Sequence, residues 1–388
     1  MIDRGEAGAQ VRPVGAIVPS PGQTLWTVQV LRGLAALMIV IGHSQSAVQG
    51  IVEEAGGAFD RLRIVPWGAS VDLFFVISGF IIVHASRRLF GTPHARTEFL
   101  RRRLIRIVPL YWLVTTVMLA ILAAAALKGG DRFPSGGAIA ASYAFLPFDT
   151  YRDGRLFPVA DLGWTLNYEM LFYVLLTLAV AWPPRRALTI AAILIALLAV
   201  VGSVVSGPGA AWFWTRPIVL DFGLGMAVAA MTIRVALRGR TRVVLALAAA
   251  ALLLADPAHV FDGPAGFTVA NEWPRVIFAG IPFAAILAAA VLGAQPPMPR
   301  AALPFTHVGD ASYSLYLLHP FALIVLGKLA QKLPAVATAP GWLLVVCTVV
   351  AAIALALASY RWVEQPMTAT LGRRLRLRPV QRPALAAE

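Results

Sequence analysis

Long apolar stretches recur along the chain, separated by short segments that carry charge, proline or glycine. About 20 apolar residues wound as an α-helix cross the roughly 30 Å of hydrocarbon in a bilayer. Ten stretches approach that size, at about 27–47, 70–87, 104–126, 162–182, 187–205, 216–233, 242–256, 274–293, 310–329 and 341–359. The seventh is short and rich in alanine. Backbone groups in lipid must satisfy one another, so each stretch is read as a helix. The pattern predicts an all-α, polytopic transmembrane bundle. A tail at 1–24 precedes a membrane domain at 25–366, and a basic tail follows at 367–388.

Composition agrees. Of 388 residues, 59% are hydrophobic and 13% charged, against about 25% charged in a soluble domain. The net charge of +14 fits basic residues gathered on the cytosolic side of a membrane rather than nucleic-acid binding. RRLFGTPHARTEFLRRRLIR, RVALRGRTR and GRRLRLR carry most of that bias and fall on one side in a ten-span count. Both termini are therefore expected in the cytosol, in a cell (inner) membrane. The first residues lack the basic-then-apolar pattern of a signal peptide. The single cysteine, Cys347, cannot form an intramolecular disulfide, and the six histidines are too scattered for a zinc-type site.

Polar residues inside the apolar stretches carry the chemistry, because an ionisable side chain in a span is costly and commonly functional. TVQVLRGLAALMIVIGHSQSA holds Arg32 and His43. Eleven residues bring both to one helical face, about 16 Å apart along the axis. The second stretch begins GASVDLFFVISGF, with Asp72 near its outer end. Asp72 either orients the imidazole of His43, as a general base requires, or caps its own helix. Arg101, Arg102, Arg103 and Arg106 crowd the start of the third stretch. They suit phosphate oxygens, and equally suit anchoring to anionic lipid.

The fourth stretch opens DLGWTLNYEMLFYV, a polar entrance with Trp164, Asn167, Tyr168 and Glu169. An aromatic belt explains the rings but not Glu169, which needs a partner or a role. Asp221 of the sixth stretch has Arg216 one turn away as a local ion-pair partner. In the ninth, GDASYSLYLLHPF, Ser312, Tyr316 and His319 form a second polar stripe, with Asp310 placed to cap its start. Glu364 of RWVEQP is placed to neutralise Arg32 or the arginine cluster. A transporter or flippase of a lipid-linked sugar also accommodates intramembrane charge, although no repeated half is visible.

In order along the chain, LRGLAALMIVIGH, GASVDLFFVISGFI, RRRLIRIVPLYW, LGWTLNYEMLFY and GDASYSLYLLHP with VEQP resemble integral-membrane acyltransferase family 3, the bacterial O-acetyltransferases of exopolysaccharides and O-antigens, the succinoglycan type most of all. The resemblance implies transfer of an acetyl group from cytosolic acetyl-CoA to a sugar hydroxyl, by the membrane domain alone. It places Arg32 and His43 on the family's essential basic residue and histidine, and Glu169 on the acid of its fourth-span motif. Arg103 and Arg106, with Arg102 beside them, fall on its cytosolic donor-handling arginines. The expected catalytic set is His43, Arg32, Glu169 and Asp72. Trp164, Asn167, Tyr316 and His319 are the expected acceptor-binding residues, with no metal. The expected partners are acetyl-CoA, a glycan or lipid-linked glycan, and membrane lipid. His43 is left open between general base and transient acetyl acceptor.

Overall fold

A computed structural model describes residues 25–375, apart from 130–132, 206, 208, 258–259, 262–271 and 296. The expected tail at 1–24 and the last part of the basic tail lie outside the described residues. Among those described, every regular element is helical.

A helix occupies each of the ten expected stretches. They are α1 (Trp26–Glu54), α2 (Ser70–Ser86), α3 (Ala95–Ala126), α4 (Trp164–Ala179), α5 (Pro184–Gly202), α6 (Leu220–Met231), α7 (Gly239–Ala255), α8 (Ile281–Val291), α9 (Ser312–Lys332) and α10 (Gly341–Ser359). A π-helical turn, Val276–Gly280, leads into α8; another, Tyr360–Glu364, carries α10 on into the helix Gln365–Arg374. With the turns that lead into α2 and α8 included (Trp67–Ser86 and Trp273–Val291), seven of the ten are long and apolar enough to cross a membrane, and α4, α6 and α7 are shorter. The chain is thus a multi-pass, all-helical membrane protein. Short helices also form where loops were expected, at Gly136–Tyr143 and Ala210–Trp214.

Contacts fix the relative direction of the helices. Near its start α1 meets the start of α9, Arg32 Nη2 donating to Ser312 Oγ at 2.8 Å. Eleven residues on, His43 meets His319 at 3.0 Å, so α1 and α9 run parallel. Spans alternate in direction. If only the seven long helices crossed, α9 would be the sixth crossing and would run against α1. If all seven cross, the parallel pair requires an odd number of α4, α6 and α7 to cross as well. Close packing lets short helices do this: a Cβ on Gly225 of α6 would lie 1.9 Å from Val76 O of α2, a contact that only a small residue permits. The ten-span expectation is the count in which all three cross. It predicts that a cysteine at Asp60 reacts with an impermeant maleimide in intact cells and one at Arg238 only after the membrane is opened, both in a Cys347→Ser background. Equal labelling of both in intact cells would exclude ten crossings.

Candidate active site

Two polar stripes face each other along the parallel pair. On α1 they are Arg32 and His43; on α9, Ser312, Tyr316 and His319. The stripes touch at both ends and open into a cavity at each. The cavity at the Arg32 end is about 300 Å³. Arg32, Arg103, Arg106, Glu169, Tyr173 and Ser312 line it. The cavity at the His43 end is about 370 Å³ and is walled by His43, Arg61, Trp67, Trp164 and Phe261. Of all lining residues, Val71 and Tyr316 alone belong to both cavities. Tyr316 is held across the divide, its hydroxyl 2.5 Å from Leu162 O and 2.8 Å from Thr165 Oγ1.

The first cavity concentrates positive charge. Arg32 donates through Nη1 to Gln29 Oε1 at 2.8 Å, and Gln29 donates in turn to Asp310. Asp310 is therefore a polar anchor at the end of the short helix Leu303–Asp310; it makes no capping bond to α9. Arg103 reaches Ser86 Oγ at 3.3 Å with one Nη, while its buried Nε has no hydrogen-bond partner. Against these guanidinium groups the cavity holds one carboxylate, Glu169, which accepts from Tyr173 at 2.5 Å. Glu364 accepts from Ser314 at 2.7 Å and, without a direct salt bridge, acts through space as a counter-charge to Arg32 and Arg106, as its expected neutralising role requires. Three lining guanidinium groups against one lining carboxylate suit a phosphorylated or carboxylated ligand.

At the other end His43, half-buried, lines the cavity, and fully buried His319 stands behind it. The aromatic walls contributed by Trp67 and Trp164 suit the apolar face of a sugar ring.

The site departs from expectation at several residues. Asp72 neither orients His43 nor caps α2. Its carboxylate accepts from Arg275 Nε at 2.8 and 3.0 Å and from Nη2 at 2.7 Å, with both side chains 0% exposed. A buried guanidinium demands such a partner, and Asp221 lies close beside the pair. Arg216, expected to pair with Asp221, instead donates to Gly202 O at 2.6 Å and approaches Glu272 at 3.4 Å. Glu169 sits among the arginines rather than at the imidazole. Arg102 points aside onto Glu98, one turn earlier, at 2.5 Å. Asn167 is 0% exposed and lines neither cavity. Arg275 was not singled out from the sequence. Its signal was available: an arginine inside an apolar stretch requires a buried acid.

Residues 26–361 match the family described as "Acyltransferase domain" (Acyl_transf_3). The chain is 35% identical over 307 residues to "Exopolysaccharide production protein ExoZ" of Rhizobium meliloti (strain 1021), covering 77% of this chain and 89% of that protein. It is 27% identical over 196 residues to "Protein 2 in picA locus" of Rhizobium radiobacter, covering 47% of this chain and 94% of that protein. No solved structure matches it. With two facing cavities inside a helical membrane bundle and a family match over most of its length, the chain belongs to the Acyl_transf_3 acyltransferases and is a membrane-embedded acyltransferase.

Proposed function

We propose that this enzyme, in the cell (inner) membrane, moves an acetyl group from cytosolic acetyl-CoA to a sugar hydroxyl of an exopolysaccharide, an O-antigen or its lipid-linked precursor. The observation that carries the reading is the pair of cavities meeting at Tyr316, arginine-rich at one end and holding a histidine at the other. The printed name of the ExoZ relative supports an exopolysaccharide acceptor. The Lys/Arg bias supports placing the Arg32 end toward the cytosol.

In this reading Arg32, Arg103 and Arg106 hold the phosphates of the donor. The pantetheine arm extends along α1 toward His43, about 16 Å away at 1.5 Å per residue. His43 takes the proton of the sugar hydroxyl as the oxygen attacks the thioester carbonyl. The C–S bond then breaks, and the departing thiolate takes that proton from the imidazolium. Acetyl leaves the donor for the sugar oxygen, and free CoA is the second product.

Purified enzyme given acetyl-CoA and O-deacetylated exopolysaccharide is expected to release CoA in proportion to acetyl gained by the glycan. Release with no acetyl gained would defeat the reading. Replacing Arg103 and Arg106 together with glutamine should weaken acetyl-CoA binding by roughly 10- to 100-fold in calorimetry, at about 1.5–3 kcal/mol for a hydrogen bond to a charged group. Unchanged affinity would remove the donor role from those residues.

A further inference from the structure

The carboxylate expected behind His43 is absent from that position, and a second histidine occupies it. The hydrogen bonds determine what that histidine does. His319 Nδ1 lies 3.0 Å from the backbone carbonyl of Leu315, one turn earlier on α9. A carbonyl oxygen only accepts, so Nδ1 of His319 carries a proton. In a neutral ring its Nε2 is then a lone pair. That nitrogen lies 3.0 Å from His43 Nδ1. Two lone pairs cannot bond, so His43 Nδ1 carries the proton between them. The remaining nitrogen of His43, Nε2, is left as the basic one.

We infer that His319 is a positioning residue: the chain Leu315 O, His319, His43 fixes the tautomer of His43 and leaves Nε2 as the atom that accepts a proton. The inference rests on the proposed role of His43 and adds to it. His319 itself does not bind the acceptor sugar. It is fully buried, lines neither cavity, and reaches the reaction only through the neighbouring ring. The bond also has a place in the cycle. When His43 takes the sugar proton on Nε2, its Nδ1–H continues to donate to His319, so the imidazolium forms without a change of partner. The ring is held against rotation in both protonation states.

The placement of His319 follows from the fold. A buried imidazole needs both nitrogens satisfied. On α9 the carbonyl four residues back is accessible to a side chain. Pro320 has no backbone N–H to give Tyr316 O, four residues earlier, so the carbonyl next to that of Leu315 lacks its helical donor. The 0% exposure of His319 keeps water from competing for either nitrogen.

The test uses the full-length enzyme with ¹⁵N-histidine, the His43 signals being assigned by their loss in His43→Ala. Wild-type His43 is expected to show protonated Nδ1 and unprotonated Nε2. His319→Leu removes the acceptor. His43 should then move to the Nε2–H form, with kcat falling roughly 100-fold, on the scale of losing an orienting partner or a general base. KM for acetyl-CoA should stay within about twofold, since the arginine cavity is untouched. His319→Gln, whose amide oxygen can still accept, should recover most of the rate. Protonated Nε2 in the wild type overturns the inference whether or not the His319 variants fold. Wild-type kcat in His319→Leu overturns it too. If instead His43→Ala retains transfer, the underlying role of His43 fails with it, so the two failures are distinguishable.

Discussion

Replacing His43 with alanine is expected to abolish acyl transfer while the protein accumulates in the membrane at its normal level. Loss of a general base alone removes roughly 10²–10⁴ of rate. The bundle should tolerate the change because His43 is half-buried and lines a cavity, so truncating it enlarges an existing space instead of opening a void in packed core. Transfer is read as acetyl gained by the glycan, and folding as the thermal transition of the detergent-purified protein. Retained transfer would dismiss His43 as the base. Lost transfer with lost protein would show that the residue serves the fold.

The second large effect lies at the same end of the bundle and is structural. Arg275→Met is expected to destabilise the protein by about 3–5 kcal/mol, the usual consequence of removing one partner of a buried ion pair. It leaves Asp72 and Asp221 together in a 0%-exposed site without a cation. Asp72→Asn should cost less, because Asp221 stands near enough to take over part of the guanidinium. The order of the two melting temperatures is the measurement. A wild-type transition in Arg275→Met would mean that the pair carries no structural weight. Both experiments replace an ionisable residue near the same end of the bundle, and they should fail in opposite ways: one loses chemistry and keeps the fold, the other loses the fold.

That contrast marks what the sequence could disclose. The stripes on α1 and α9 were legible because helical periodicity is local. Arg32 and His43, and Ser312, Tyr316 and His319, share faces whatever surrounds them. Arg103 and Arg106 were legible for the same reason, being one turn apart. Arg102 was harder to separate from them. A step of 100° turns it away from the cavity, and Glu98 at i−4 captures it. Asn167 likewise shares the wording of the fourth motif but not the face of Glu169. Asp72 was the real ambiguity. Its partner lies 203 residues away, and nothing in one sequence says which distant charge will meet which. The sequence showed that Asp72 needed a partner, and with no contact map the nearest histidine was the natural assignment. The same limit hid His319, whose meaning depends on a ring 276 residues earlier.

The divide at Tyr316 has one more consequence. Two water-accessible hollows approach each other from opposite ends of the bundle, and one is lined with guanidinium groups that would welcome small anions. Were they continuous, every copy of the enzyme would be an anion leak, dissipating the ion gradients the membrane maintains. Where they meet stand Val71 and the ring of Tyr316, the latter latched to Leu162 and Thr165. In the proposed reaction the acyl group passes where ions must not. The selection at that point is therefore between a thin, uncharged chain that can slide along an aromatic face and a hydrated ion that cannot.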